Sequence, residues 1–347
     1  MSTLTNDPTF DATRVRSGLV LAVISAVSFG ISGALATPLL AAGWSPGAVV
    51  GIRIGLGGLA LIPFAVRDLG GWSQLRPARL VSILGAHGKT IALYGLLGIA
   101  AAQFCYFSAI QTMDVGPALL IEYTAPVVVV GWMWAVHRQR PSRWAVAGIA
   151  ICAVGLVLVL DLLGPASIDP VGALWAVGAM IGAAGYFLIS AHQHDDLPPA
   201  VLATGGMIFA ALLLGMFGVV GVLPMTAGEA TAHFAGFAAP AASVLVGLAV
   251  ISAATAYLTG IGAARRLGAR LASLIALLEV LAAVVWAAAL LGQIPAPAQI
   301  LGGVLIIVGV VAAKMGEPRA VAQSSESSAA LRSVGSTRSD PTRSGST

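Results

Sequence analysis

Apolar residues run in blocks of about twenty along the chain, separated by short polar breaks. The blocks fall at 18–40, 46–66, 90–113, 115–136 and 144–163, then at 171–191, 200–224, 241–264, 271–293 and 298–313. A helix rises 1.5 Å per residue, so ~20 residues cross the ~30 Å of bilayer hydrocarbon. The pattern therefore predicts an all-α membrane protein with ten transmembrane helices. Residues 1–17 are polar and have no apolar core, so the first span stays as an anchor and is not a cleaved leader. Residues 316–347 are rich in Ser, Thr, Gly and Arg, and are expected to stay disordered because they bury too little to offset their ordering entropy.

Composition agrees with that pattern. Of 347 residues, 58% are AVILMFWYC and 9% are charged, against about 25% charged in soluble domains. A water-soluble globule is excluded. Cys105 and Cys152 both lie inside apolar blocks and read as small buried hydrophobes, giving neither a disulfide framework nor a zinc site. Threading ten spans sorts the basic residues. Seventeen of the eighteen Lys and Arg fall before span one, between two and three, four and five, eight and nine, or after ten. The opposite loops carry acids such as Asp114, Asp161, Asp169 and Glu229 and no Lys or Arg. Basic loops stay cytoplasmic, so both termini are expected inside a bacterial-type inner membrane.

An ungapped shift of 154 residues superposes the chain on itself. It pairs Leu120 with Leu274, Trp132 with Trp286, Gln139 with Gln293, Pro141 with Pro295, Gly148 with Gly302 and Gly155 with Gly309. Glycine matches are cheap in such a composition, whereas Trp, Gln and Pro on one register are not. The repeats are 18–163 and 171–313, five spans each. An odd number turns the second copy upside down, an architecture of secondary transporters whose site lies near the midplane between halves.

Three charges lie deep inside spans: Arg53, Glu122 and Glu279. An ionised group at mid-bilayer costs about 2.5–3.5 kcal/mol on insertion scales, so such groups face a cavity or a partner. Glu122 follows Asp114 by about 12 Å of helix, and Glu279 follows Arg270 by about 13 Å from the opposite surface. Both reach the middle and are expected to face one cavity as proton or substrate-amine sites. Arg53 is expected either to meet a substrate carboxylate or to hold a carboxylate of the protein. Pro126 lacks the amide that would bond the Glu122 carbonyl, so span four is expected to kink there. Gln103, Tyr123 and Tyr257 are further candidates to line the space, with Ser28, Tyr106, Tyr186 and Trp286.

Other signals are set aside. Gly88-Lys89-Thr90 resembles the end of a phosphate loop, but Ile83 stands where the loop needs glycine, and Lys89 reads as snorkelling at the start of span three. His192, His194, Asp195 and Asp196 read as a solvated loop, without the helical i, i+4 spacing of a metal site. Neither HExxH nor G-x-S-x-G occurs, so no enzyme is expected.

Gly51-Ile-Arg53, Phe107-Ser-Ala-Ile-Gln-Thr-Met113, Glu122-Tyr-Thr-Ala-Pro126, Leu277-Leu-Glu279 and Gly302-Gly-Val-Leu-Ile-Ile-Val-Gly309 follow one another in an order that resembles the drug/metabolite transporter superfamily, in its EamA-type ten-span form. The resemblance covers about 17–314, and spans three and four look closest to the threonine/homoserine exporter branch. It implies a central cavity lined by spans one to four and six to nine, and efflux of amino acids or other small metabolites, often with protons. Val280, Gln139 and Gln293 depart from that pattern, where proline and two acids are usual. The expected function is secondary active export of a small metabolite by alternating access. A drug or nucleobase exporter is the alternative, and a non-transporting scaffold or receptor the reading from another class. Expected partners are a small-molecule substrate and the lipid bilayer, with a homodimer left open, no nucleic acid, and no cofactor or metal.

Overall fold

The structure, a computed structural model, describes residues 8–74, 76–162, 169–192 and 196–315. The tail 316–347 and His194 and Asp195 lie outside the described residues. Among the described residues ten principal helices form: α1 (Pro8–Ala41), α2 (Pro46–Asp68), α3 (Pro77–Ala109), α4 (Val115–His137) and α5 (Arg143–Val159). They continue as α6 (Pro170–Ala191), α7 (Pro199–Val219), α8 (241–267), α9 (269–291) and α10 (Pro297–Met315). The boundary between α8 and α9 is Gly268, whose φ of 81° turns the chain where a side chain would resist. A short hairpin, β1 (Thr231–His233) with β2 (Ala238–Pro240), sits in the α7–α8 loop. Local chemistry sets several helix starts. Ser45 accepts from the Ala48 amide, Ser142 from Ala145, and Asp169 from Val171 and Gly172, each taking up an amide the first turn leaves free.

Two starts differ from the hydropathy reading. α3 begins at Pro77, well before the apolar block at 90, and α1 begins at Pro8. Lys89 therefore stands exposed within a helix and not at its start. The reason is periodicity. Leu80, Val81 and Leu84 share one side of the helix and Arg79 and Lys89 the other, which suits an amphipathic helix but scores poorly on mean hydropathy.

The duplication appears in the backbone itself. Wide π-helical turns occupy Tyr94–Ala101 in α3 and Leu248–Thr255 in α8, 154 residues apart. On the same offset α4 breaks at Tyr123 and α9 at Leu277, and both helices end on left-handed residues, Arg138 (φ 56°) and Gly292 (φ 67°). α5 and α10 lie together at the side of the bundle. A Cβ on Gly155 would stand 2.7 Å from the Gly302 oxygen, and one on Gly302 would stand 2.6 Å from the Gly155 oxygen. Gly148 meets Gly309 in the same way. Exchanging the two repeats maps the first contact onto the second, so a pseudo-two-fold axis passes through this crossing. Small residues allow the approach, as in other membrane helix pairs.

The two ends of the bundle differ. At one, Arg14 donates to the Arg265 carbonyl (3.2 Å) and Arg270 to the Gln139 carbonyl (3.1 Å). At the other, the α7–α8 loop straps the α1–α2 corner. The Trp44 indole donates to the Glu229 carbonyl (2.9 Å), Ser45 to the Pro224 carbonyl (2.9 Å), and the Ala235 amide to the Leu290 carbonyl at the end of α9 (3.1 Å).

Candidate substrate cavity

A cavity of about 550 Å³ lies between the two halves, within the ~300–1,000 Å³ usual for small-molecule sites. Glu122, Glu279, Arg53, Gln103, Tyr123, Tyr257 and Pro126 all line it. So do Tyr106 and Tyr186, whereas Ser28 and Trp286 do not, the latter donating its indole N–H to the Val27 carbonyl (3.2 Å). At one end the wall is exposed, at Gly33, Thr37, Leu40, Pro46 and Val115. At the other it is sealed by Ala22, Ala263, Ala272 and Ser273. The mouth faces the end of the hairpin and strap.

Helix breaks deliver the glutamates. Glu122 is the last residue of the first half of α4. Tyr123 and Thr124 form a turn before the helix resumes at Ala125 with Pro126 in its first turn. Glu279 lies in the first turn after the break in α9. The two carboxyls line the same cavity, and the Tyr123 hydroxyl donates a long hydrogen bond to Glu279 Oε1 (3.4 Å). Arg53 is buried, at 6% exposure. It donates from one terminal nitrogen to Ser32 Oγ (3.1 Å) and from the other to the Ser252 carbonyl (3.1 Å), while its Nε has no partner. The accepting carbonyl belongs to the π-helical turn of α8, whose irregular bonding frees a backbone oxygen for a side chain. The guanidinium is thus held by neutral oxygens, with Glu279 and Tyr257 lining the same cavity.

The repeats contribute unequally. Gln103 and Tyr257 are mates on the 154 offset, but Arg53 is matched by Met207, which is fully buried behind α2 against Gly57 and Gly58. Among the described residues α7 adds nothing to the wall, contrary to the expectation that spans six to nine all contribute. Ser25, Ser32 and Phe29 were not anticipated as lining. Their signal was present in α1: 25, 29 and 32 share one helical face. Phe29 meets Tyr257 edge-on with ring centres 4.9 Å apart.

Comparisons with known proteins agree with this architecture. A family model described as the EamA-like transporter family matches residues 16–161 and again 170–314. The threonine/homoserine exporter RhtA of Escherichia coli K12 is 27% identical over 311 residues, 89% of this chain and 93% of that protein. RhtA of Salmonella typhimurium LT2 is 28% identical over 302 residues, 86% of this chain and 89% of its own. The uncharacterized inner membrane transporter YicL of Salmonella typhimurium is 24% identical over 225 residues, 63% of this chain and 69% of that protein. One solved crystal structure superposes with a TM-score of 0.69 at 19% identity, covering 86% of this chain and 96% of its own, which shows the fold.

Proposed function

The chain belongs to the EamA-like transporter family, and we propose that it is a secondary carrier exporting small zwitterionic metabolites by alternating access, with threonine and homoserine the first substrates to test. What supports this above all is the juxtaposition in one cavity of two carboxyl groups with a guanidinium whose Nε is unpartnered. A zwitterion carries the complementary pair: an ammonium for Glu122 and Glu279, and a carboxylate for Arg53. Ser25, Ser32 and Tyr257 supply hydroxyls suited to a polar side chain. The glutamates also offer exchangeable protons, so an opposing proton is the coupling we propose. The basic end faces the cytoplasm by the positive-inside rule, and the mouth then opens outward. RhtA relatives are named as exporters of threonine and homoserine, which supports the choice of substrate.

The test is counterflow of radiolabelled threonine and homoserine in proteoliposomes, with and without a pH gradient. Flux above empty vesicles, falling at least tenfold in both Glu122→Gln and Arg53→Gln, is the expected result. Wild-type vesicles without flux of either amino acid would overturn the substrate. Flux insensitive to both substitutions would overturn the site.

A further inference from the structure

A tyrosine, Tyr186, stands in the wall at the inner end of the cavity near Ala22 and Ala263, and a second polar layer lies behind it. Tyr186 on α6 is 7% exposed and reaches across to α8, where its hydroxyl fills the space a side chain on Gly260 would take. Gly98 of α3 backs its main chain, since a Cβ there would stand 3.1 Å from the Tyr186 Cα. Behind it, Tyr94 is fully buried with its ring centre 5.8 Å from that of Tyr186, and it is seated against Gly206 of α7. Its hydroxyl faces Ser190, one helical turn beyond Tyr186 and also fully buried.

The hydroxyls of Tyr94, Tyr186 and Ser190 have no well-formed hydrogen bond. For Ser190 that is informative. Four helical hydroxyls of this chain donate to the carbonyl four residues back, Thr37 to Gly33, Ser108 to Phe104, Ser252 to Leu248 and Thr259 to Thr255, whereas Thr204 of α7 shares the unpartnered state of Ser190. Ser190 forgoes that local bond. Tyr94 and Ser190, facing each other in a buried layer without a well-formed bond to the main chain, are groups that a polar visitor would satisfy.

The internal duplication adds a second, independent observation. On the 154 offset the pair Tyr186 and Gly260 corresponds to Ser32 and Tyr106, and both of those line the cavity nearer its open mouth. In an inverted repeat each half can adopt the conformation the other shows now. At the inner end a tyrosine is seated on a small residue, and at the outer end the counterparts, Tyr106 and Ser32, both line the open wall.

We propose that the substrate path continues past Tyr186 into a second polar station made by Tyr94 and Ser190, with Tyr186 and Tyr106 as alternating inner and outer gates. The station takes the polar groups of a small hydroxylated or zwitterionic solute, with its water, on the inner leg of transport. The proposal rests on the carrier reading, but its test does not need flux. In a Cys105→Ala, Cys152→Ala background, Ser190→Cys is treated in purified full-length protein with a small cationic methanethiosulfonate. Ser243→Cys, at an exposed position, serves as the reference. Labelling of Ser190→Cys is expected to be at least a hundredfold slower than the reference, and to rise at least tenfold when Tyr186→Ala is added. Gly260→Ala, which displaces the Tyr186 hydroxyl, reads the same opening if Tyr186→Ala does not purify as a single species. Labelling already as fast as the reference, or unchanged by opening that wall, overturns the station. Absent amino-acid flux in the wild type would instead overturn the carrier reading and leave the labelling result to stand or fall alone.

Discussion

Helices α4 and α9 occupy equivalent places in the two halves, and both break beside a glutamate, yet they break for different reasons. In α4 the turn covers Tyr123 and Thr124, and Pro126 follows, unable to donate an amide back to the Glu122 carbonyl. In α9 the turn is the single residue Leu277, held by i, i+3 bonds from Leu277 to Leu274 and from Val280 to Leu277 (both 3.2 Å). The residue matching Pro126 is Val280, so no proline enforces that break. Packing holds it instead. Gly30 of α1 lies against the α9 backbone, where a Cβ would stand 2.7 Å from Ala282 Cβ, 2.8 Å from the Glu279 oxygen and 2.9 Å from the Ala283 nitrogen. The repeat mate of Gly30 is Ala184, which packs against Ala125 and Val129 of α4 and keeps its methyl group. A break written into the chain tolerates an ordinary neighbour, and a break imposed from outside requires one that can press close.

The contrast is broken most severely at Gly30. Gly30→Val inserts three carbons into a backbone contact, and overpacking in such places costs about 1–3 kcal/mol or more. The thermal midpoint of the purified protein is expected to fall by several degrees, with loss of transport. Ala184→Gly, at the equivalent place on α6, should cost the ~1 kcal/mol of helix propensity and about 0.8 kcal/mol for one buried methyl, and leave the backbone contact intact. Equal losses at the two positions would remove the asymmetry between the halves.

Next in size are the carboxyls that the breaks deliver. Glu279→Gln keeps the shape and the acceptor for Tyr123, so its protein should be at least as thermally stable as wild type while losing about tenfold or more in threonine counterflow. Retained flux with an unchanged response to a pH gradient would remove Glu279 from the coupling we propose. Pro126→Ala should act more gently. It returns an amide to face the Glu122 carbonyl and allows α4 to straighten, adding about 1 kcal/mol of stability from one hydrogen bond. Transport should fall several-fold. Stability and transport falling together would make the proline a packing residue and not a shaper of the site.

These features were unequally legible in the sequence. The ten spans, the 154-residue register and the three intramembrane charges stood out because hydropathy, rare residue types and intramembrane ionisation are loud signals. Pro126 announced its break for the same reason: a missing amide has a local consequence. The α9 break announced nothing, since Leu277, Leu278 and Val280 are ordinary helix residues and the glycine packed against it, Gly30, lies nearly 250 positions away. Ser25 and Ser32 were hard to see because they share a face with Phe29 in a largely apolar helix, where small hydroxyls weigh little in hydropathy. The withdrawal of α7 from the wall was equally hidden. It depends on Met207 filling space behind α2, and such filling is decided by shape more than by residue class.

The smallest expected effect sharpens the comparison best. Val280→Pro writes into α9 the residue that α4 carries at the same place. In a regular helix interior this substitution costs about 3 kcal/mol, through a lost bond and a ring clash with the carbonyl four back. At 280 the position is different. It lies in the first turn of Leu278–Leu291, and its amide already reaches only the Leu277 carbonyl, so the loss is one i, i+3 bond or about 1 kcal/mol. Val284→Pro, one turn further into unbroken helix, supplies the full penalty for reference. A thermal midpoint close to wild type for Val280→Pro, beside a steep fall for Val284→Pro, would mean that the packing of α1 already holds α9 in the shape a proline demands. Comparable falls at both positions would mean that α9 draws its stability from the Val280 bond, and that the two breaks are alike in outline but not in tolerance.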